Sequence, residues 1–161
     1  NLKIFSLTSY QDLQNHWLAP LAARLKAIHV LPEESLFNPQ ATVTRKTMAV
    51  WLAMSSNEGS VTGNGALREI SDVPSSDPGF ESIQKVVNAG VFSLDSEGHF
   101  NPDKKMNRIE ALAAVVKGCN FSSLSATDLA AIRIPFSDIT THHWASTIVK
   151  QGLKNGIIKP L

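Results

Sequence analysis

ISDVPSSDPGFESIQKVVNAGVFSLDSEGHFNPDKKMNRIE, residues 70–110, decides the fold because its landmarks recur elsewhere in the chain. Its opening Ile70-Ser71-Asp72-Val73 is matched by Tyr10-Gln11-Asp12-Leu13 and by Phe136-Ser137-Asp138-Ile139. Each has an apolar residue two places before Asp and an aliphatic residue directly after it. From Asp12 to Asp72 is 60 residues, and from Asp72 to Asp138 is 66. A short polar gap leads to His16-Trp17-Leu18, Asp77-Pro78-Gly79 and His143-Trp144-Ala145. Twelve residues beyond the middle position of each comes a turn, at His29, Gly90 and Gly156. An apolar pair follows every turn: Val30-Leu31, Val91-Phe92 and Ile157-Ile158. Phe37-Asn38-Pro39 recurs as Phe100-Asn101-Pro102, and eight residues past each Phe stands an arginine, Arg45 or Arg108. Self-similarity at a fixed period is the signature of a repeat architecture and takes precedence over element-by-element assignment.

Each copy reads as helix, extended loop, helix. In the first helix Trp17, Leu21, Leu25 and Ile28 fall at helical spacing, which predicts a stripe facing the core. Gly90 and Gly156 suit the left-handed position that closes many helices, and His29 adopts it less comfortably. The proline of Phe-Asn-Pro disfavours helix in the residue before it. Thr44 and Asn107 are placed as N-caps of the second helices, and Glu110 completes a capping box with Asn107. Met48, Trp51 and Leu52 in one second helix, and Leu112, Val115 and Val116 in the other, supply the buried face. Helices this short depend on packing between copies. A further helix is expected over Ser125–Ile132, capped by Ser125 or Thr127.

The expected organisation is one mostly α domain over residues 1–161: repeat one 10–54, linker 55–69, repeat two 70–119, linker 120–135 and a partial third repeat 136–161. The copies are expected to pack about a pseudo-threefold axis, because one copy cannot bury both helix faces alone.

Composition narrows the function. The 161 residues are 43% hydrophobic and 18% charged, with 15 Lys and Arg against 14 Asp and Glu, giving a net charge of +1. No global field draws the chain to nucleic acid or anionic lipid. No apolar run approaches the roughly 20 residues of a membrane span. Residues 1–9 carry neither an initiator methionine nor the features of a secretory signal, so the sequence reads as a fragment of a longer protein. The lone Cys119 offers no internal disulfide and is expected to be a small buried hydrophobe. Glu33-Glu34 reads as a solvated loop, since adjacent carboxylates do not converge on one substrate atom. His16, His142 and His143 lack recurring partners at ligand spacing. The sequence therefore points to no catalytic residue, no metal and no cofactor.

The order apolar-x-Asp-aliphatic, His-Trp-Ala, Gly-Ile, Phe-x-Pro and Thr-Arg resembles the S-layer homology (SLH) family over nearly the whole chain. The resemblance implies tandem repeats forming a three-armed helical spindle. It also implies a non-catalytic role, in which a secreted protein is anchored by a pyruvylated secondary cell-wall polysaccharide, or a peptidoglycan-linked glycan, held in grooves between repeats. The implied location is the cell envelope: bacterial wall, S-layer or the periplasmic side of an outer membrane. Other envelope proteins are secondary candidate partners. In the family the Arg, the Trp and the turn Gly line the groove, which carries over here to Arg45, Arg108, Trp17, Trp144, Gly90 and Gly156.

The chemistry fits on its own terms. A guanidinium grips a carboxylate through two charge-assisted hydrogen bonds, and an indole face stacks on a sugar ring. The copies are nevertheless unequal. The first reads Thr44-Arg45-Lys46-Thr47, the second Asn107-Arg108-Ile109-Glu110 with Pro78 in the Trp position, and the third reaches Leu161 before either landmark. At most two grooves hold a family-like Arg. Trp17 and Trp144 at helical spacing read equally as core residues. Asp12, Asp72 and Asp138 read as caps or Asx turns ahead of the helices they precede. The alternative function is an SLH-like protein–protein scaffold whose glycan grooves have decayed.

Overall fold

The computed structural model describes residues 10–56 and 68–159. The N-terminal stretch 1–9 and most of the expected linker after residue 54 lie outside the described residues. A short 3-10 helix (Gln11–Leu13) and six α-helices are present among them: α1 (Ala19–Ala27), α2 (Arg45–Ser55), α3 (Phe80–Asn88), α4 (Arg108–Gly118), α5 (Ala126–Ala131) and α6 (Ser146–Lys154). Thr44 and Lys105 form an isolated antiparallel bridge, and no strand is present among the described residues. The mostly helical expectation therefore holds.

The recurring landmarks fold alike. α1, α3 and α6 are each nine residues long, and α2 and α4 are each eleven. Thr44 caps α2 by accepting the Thr47 N–H at 3.2 Å. Asn107 caps α4 by accepting the Glu110 N–H at 2.9 Å, while Glu110 accepts the Asn107 N–H at 3.0 Å. Ser125 caps α5 in a second such box with Asp128. Helices α1, α3 and α6 end in one motif. The turn residue donates to the carbonyl three back, and the next residue reaches five back: Val30 to Leu25, Val91 to Val86 and Ile157 to Gly152, at 2.9, 3.0 and 2.9 Å. That motif needs a left-handed residue, with φ of 57° at His29, 72° at Gly90 and 71° at Gly156.

Packing crosses from one copy to the next. α3 lies on α2, α6 on α4, and α2 meets α4 between them. The main core joins Met48, Ala49 and Ala53 of α2 to Ile83, Val86 and Val87 of α3, with Phe92, Phe100 and Ala114. A second, smaller core gathers Tyr10, Leu13, Ala22 and Leu31 with Phe37 and Trp51, so α2 faces both.

The structure corrects the expected stripe on α1. The helix starts only at Ala19, and its buried residues are Ala22, Ala23 and Lys26, whereas Trp17, Leu21 and Ile28 are 81%, 50% and 65% exposed. The small alanines let α1 close onto Tyr10 and Leu13. Lys26 lays its aliphatic stem inside, with Nζ 4.5 Å from the Tyr10 ring centroid and donating to the Glu34 carbonyl at 2.9 Å. Among the described residues no helix packs on α1 as α3 packs on α2, and Leu21 and Ile28 lie outside while Leu25 packs against the smaller core. Cys119 is likewise exposed rather than buried, because it stands at the C-cap of α4 beyond the last packed turn.

Candidate functional site

The recurring aspartates perform a longer-range task than capping. Asp72 accepts the backbone N–H groups of Phe100 and Asn101 at 2.7 and 2.6 Å. Asp12 takes those of Phe37 and Asn38 at 2.8 and 2.6 Å. The carboxylate thus clamps the Phe-Asn-Pro loop 25 or 28 residues later, where Asn38 and Asn101 turn through φ of 57° and 59°. The Phe37 N–H bond is the leading cause that holds the Asp12 carboxyl below its ordinary range.

Across the boundary between the first two copies, Arg45 locks onto that loop. Its Nε donates to the Phe100 carbonyl at 2.7 Å and its Nη2 to the Ser93 carbonyl at 3.0 Å. The guanidinium carbon lies 5.0 and 4.7 Å from the centroids of Phe92 and Phe100, rings that meet edge to face at 5.5 Å. Desolvation pulls its pKa down, yet a guanidinium keeps its charge. The first amides of α2 are occupied as well: Arg45 N–H donates to the Lys104 carbonyl at 3.0 Å and Lys46 N–H to the Pro102 carbonyl at 2.9 Å. Arg45 therefore uses two of its three nitrogens inside the protein.

At the next boundary the corresponding parts line a cavity. A cavity of about 480 Å³ lies between Arg108, Ile109 and Leu112 of α4 and Phe136, Asp138, Ile139, Val149, Ile157 and Ile158 of the last copy. Its floor is apolar. Arg108 corresponds to Arg45, Asp138 to Asp72, and Ile158 to Phe92. Arg108 is exposed, and neither its guanidinium nor the Asp138 carboxylate has a hydrogen-bond partner among the described residues.

Of the residues expected to line a groove, the structure brings Arg108 beside the residues that follow Gly156, and Arg45 beside those that follow Gly90. A Cβ added at Gly90 or Gly156 would meet nothing within 4 Å, so both glycines serve the backbone turn and leave open space above it. Trp17 and Trp144 do not line the cavity. Both are surface residues, 81% and 59% exposed, and each sits tilted beside its neighbouring histidine at 5.8 and 5.6 Å between ring centroids.

The histidines have a backbone role that the middle copy fills with Asp77. His16 and His143 each accept, through Nδ1, the N–H two residues on, at 3.2 Å in both cases. In the middle copy Asp77 Oδ1 accepts the Gly79 N–H at 2.7 Å, while the same carboxylate bonds Lys46 of α2 at 2.7 Å. That side-chain bond to Lys46 is the leading cause holding Asp77 below the ordinary carboxylate range. Asp77 thus keeps the acceptor and adds a tie between copies.

Residues 69–112 match the S-layer homology domain. The S-layer homology stretch holds the Asp72 clamp, the Gly90 turn, the Phe100-Asn101-Pro102 loop and Arg108 together. Domains of this family are non-catalytic modules that anchor proteins to cell-wall polysaccharide at the cell envelope. No curated protein matches the chain. No helix among the described residues is long and apolar enough to cross a membrane.

Sequence reasoning missed the partners of Arg45 and the walls of the open cavity. Part of the signal was present. Carrying the 66-residue offset from Asp72 to Asp138 into the contacts of the first boundary marks Asp138, Ile157 and Ile158 as groove residues. The contacts themselves are to backbone carbonyls of Ser93 and Phe100, which side-chain identities do not announce.

Proposed function

We infer that this chain is a cell-envelope anchoring module that binds a pyruvylated wall polysaccharide without transforming it. Three tandem SLH units, 10–54, 70–119 and 136–161, make up one domain with pseudo-threefold character. The paired helix lengths and the repeated aspartate clamp support that division.

The observation that carries the reading is Arg108: an exposed guanidinium without a protein partner among the described residues, beside an apolar-floored cavity. A ketal-linked pyruvate presents a carboxylate to the guanidinium fork, and Asp138 accepts a sugar hydroxyl. Trp17 and Trp144 offer exposed indole faces on which further sugar rings along the polymer stack. The open space over the Gly90 and Gly156 turns admits a sugar close to the backbone. Arg45 contributes less to ligand than Arg108 does, since only its Nη1 is uncommitted among the described residues.

Co-sedimentation with purified cell-wall sacculi tests this. The protein pellets with intact walls, and it stays in the supernatant when the polysaccharide has been stripped or its pyruvate ketals hydrolysed by mild acid. Equal pelleting with intact and stripped walls overturns the reading.

A further inference from the structure

We propose that His16 and His143 are specificity-determining donors for the polysaccharide: each presents an Nε2–H beside an exposed indole, and each His-Trp pair grips one sugar by its apolar face and one of its oxygens. The inference rests on the wall-polysaccharide reading and adds to it a polar contact that neither Arg108 nor the tryptophans supply.

The two histidines are held alike. Nδ1 of His16 accepts the Leu18 N–H and Nδ1 of His143 accepts the Ala145 N–H, both at 3.2 Å. A neutral imidazole that accepts at Nδ1 carries its proton on Nε2, so both rings are fixed as Nε2–H donors. Neither Nε2 has a protein acceptor among the described residues. Asn88 Oδ1 is the one buried side-chain polar atom without a partner among those residues, so both Nε2–H groups reach solvent.

Trp17 and Trp144 stand beside these donors, 81% and 59% exposed. Indole and imidazole centroids are 5.8 and 5.6 Å apart, and the ring planes differ by only 30° and 34°. A pyranose is divided in the same way, into a C–H-rich face and a rim of hydroxyl and ring oxygens. Its face stacks on the indole while a rim oxygen accepts the neighbouring Nε2–H.

The backbone alone does not call for histidine. In the middle copy Asp77 meets the equivalent N–H, that of Gly79, at 2.7 Å, closer than either histidine does. Aspartate supplies the acceptor without a donor, and there Pro78 stands in place of the indole. Donor and stacking face are thus present together in two copies and absent together in the third. A purely structural role for His16 and His143 accounts for the acceptor and leaves that pairing with Trp17 and Trp144 unexplained.

The test is calorimetry of the whole chain with purified wall polysaccharide, comparing the native protein with His16→Asp, His143→Asp and the double variant. Aspartate keeps the backbone acceptor, as Asp77 does, and removes the donor, so Tm by scanning calorimetry is expected to stay within about 2 °C of native. Affinity is expected to fall about 3-fold for each single variant and about 10-fold for the double variant, the loss of one and of two neutral hydrogen bonds. The His16→Ser/His143→Ser variant, whose hydroxyls accept the same N–H groups without adding charge, gives the same loss. In the free protein, long-range proton–nitrogen NMR correlation reads Nδ1 as bare and Nε2 as protonated in both histidines, and the polysaccharide shifts the Nε2 signals. The proposal is overturned by full affinity in either double variant, or by protons on Nδ1 in the free protein. Weakening by aspartate but not by serine also overturns it, since charge repulsion then accounts for the loss. Each of these results leaves the anchoring reading standing, whereas absence of binding by the folded native chain removes that reading and this contact with it.

Discussion

Arg45 and Arg108 occupy the same place in the sequence pattern, yet replacing them is expected to have unequal consequences for stability. Arg45→Ala removes the bond to the carbonyl of buried Phe100, worth about 1.5–2 kcal/mol because that oxygen is left unpaired. The bond to exposed Ser93 contributes about 0.5 kcal/mol, since water replaces the donor there. The two ring contacts contribute about 0.5 kcal/mol each at this half-exposed site. The combined loss is about 3 kcal/mol, which for a chain of this size lowers Tm by roughly 6–12 °C. Arg108→Ala removes no protein contact among the described residues and is expected to stay within about 0.5 kcal/mol, or roughly 2 °C, of the native chain. Arg45→Lys should recover little, since a point ammonium cannot span two carbonyls and lie over two rings. Differential scanning calorimetry of the three variants decides it. Equal Tm losses for Arg45→Ala and Arg108→Ala, or an Arg45→Ala loss under about 2 °C, would refute the assignment of one arginine to structure and the other to ligand.

The aspartates make a second matched pair: Asp72→Ala orphans the Phe100 and Asn101 amides and is expected to cost about 2–3 kcal/mol by urea denaturation, whereas Asp138→Ala is expected to be neutral within about 0.5 kcal/mol. His29→Gly relieves a left-handed residue at φ 57° and should raise stability by about 0.5 kcal/mol after the added freedom of the unfolded chain is counted; a lower Tm than native refutes this. The Asp128 carboxyl, bonded by Lys154 and Ser125, is drawn down to about 2 from 3.8. Its folded-state pKa is depressed, so its contribution to holding α5 on α6 is present above pH 3.8 and is lost as pH falls through about 2, a midpoint that NMR titration reads directly. Molar salt should move that midpoint upward, because the pair is exposed and screened.

Much of the local structure was legible because it is governed by short-range rules. The caps at Thr44, Asn107 and Ser125 and the left-handed turns at Gly90 and Gly156 follow from residue types acting on their nearest backbone. The α1 stripe was misread for the opposite reason. Periodicity places Trp17, Leu21, Leu25 and Ile28 on one side, but which residues are buried depends on what packs there: Tyr10, Leu13 and Leu31 select Ala22 and Lys26, and of the four only Leu25 packs beside them. Asp12 and Asp72 look like caps locally and prove to be clamps on loops far along the chain. Arg45 and Arg108 are indistinguishable by spacing. Only the third dimension separates them, through the carbonyls and phenyl rings that Arg45 meets and that Arg108 does not meet among the described residues.

Calorimetric titration of the native chain, Arg108→Ala and the Trp17→Ala/Trp144→Ala double variant with pyruvylated wall polysaccharide tests the central claim most directly. The expected result is saturable binding by the native chain, weakened at least about 10-fold by Arg108→Ala, the loss of one charge-assisted carboxylate contact, and weakened further in proportion to the stacking faces removed. Absence of binding by correctly folded native protein, or full affinity retained by Arg108→Ala, would contradict the account.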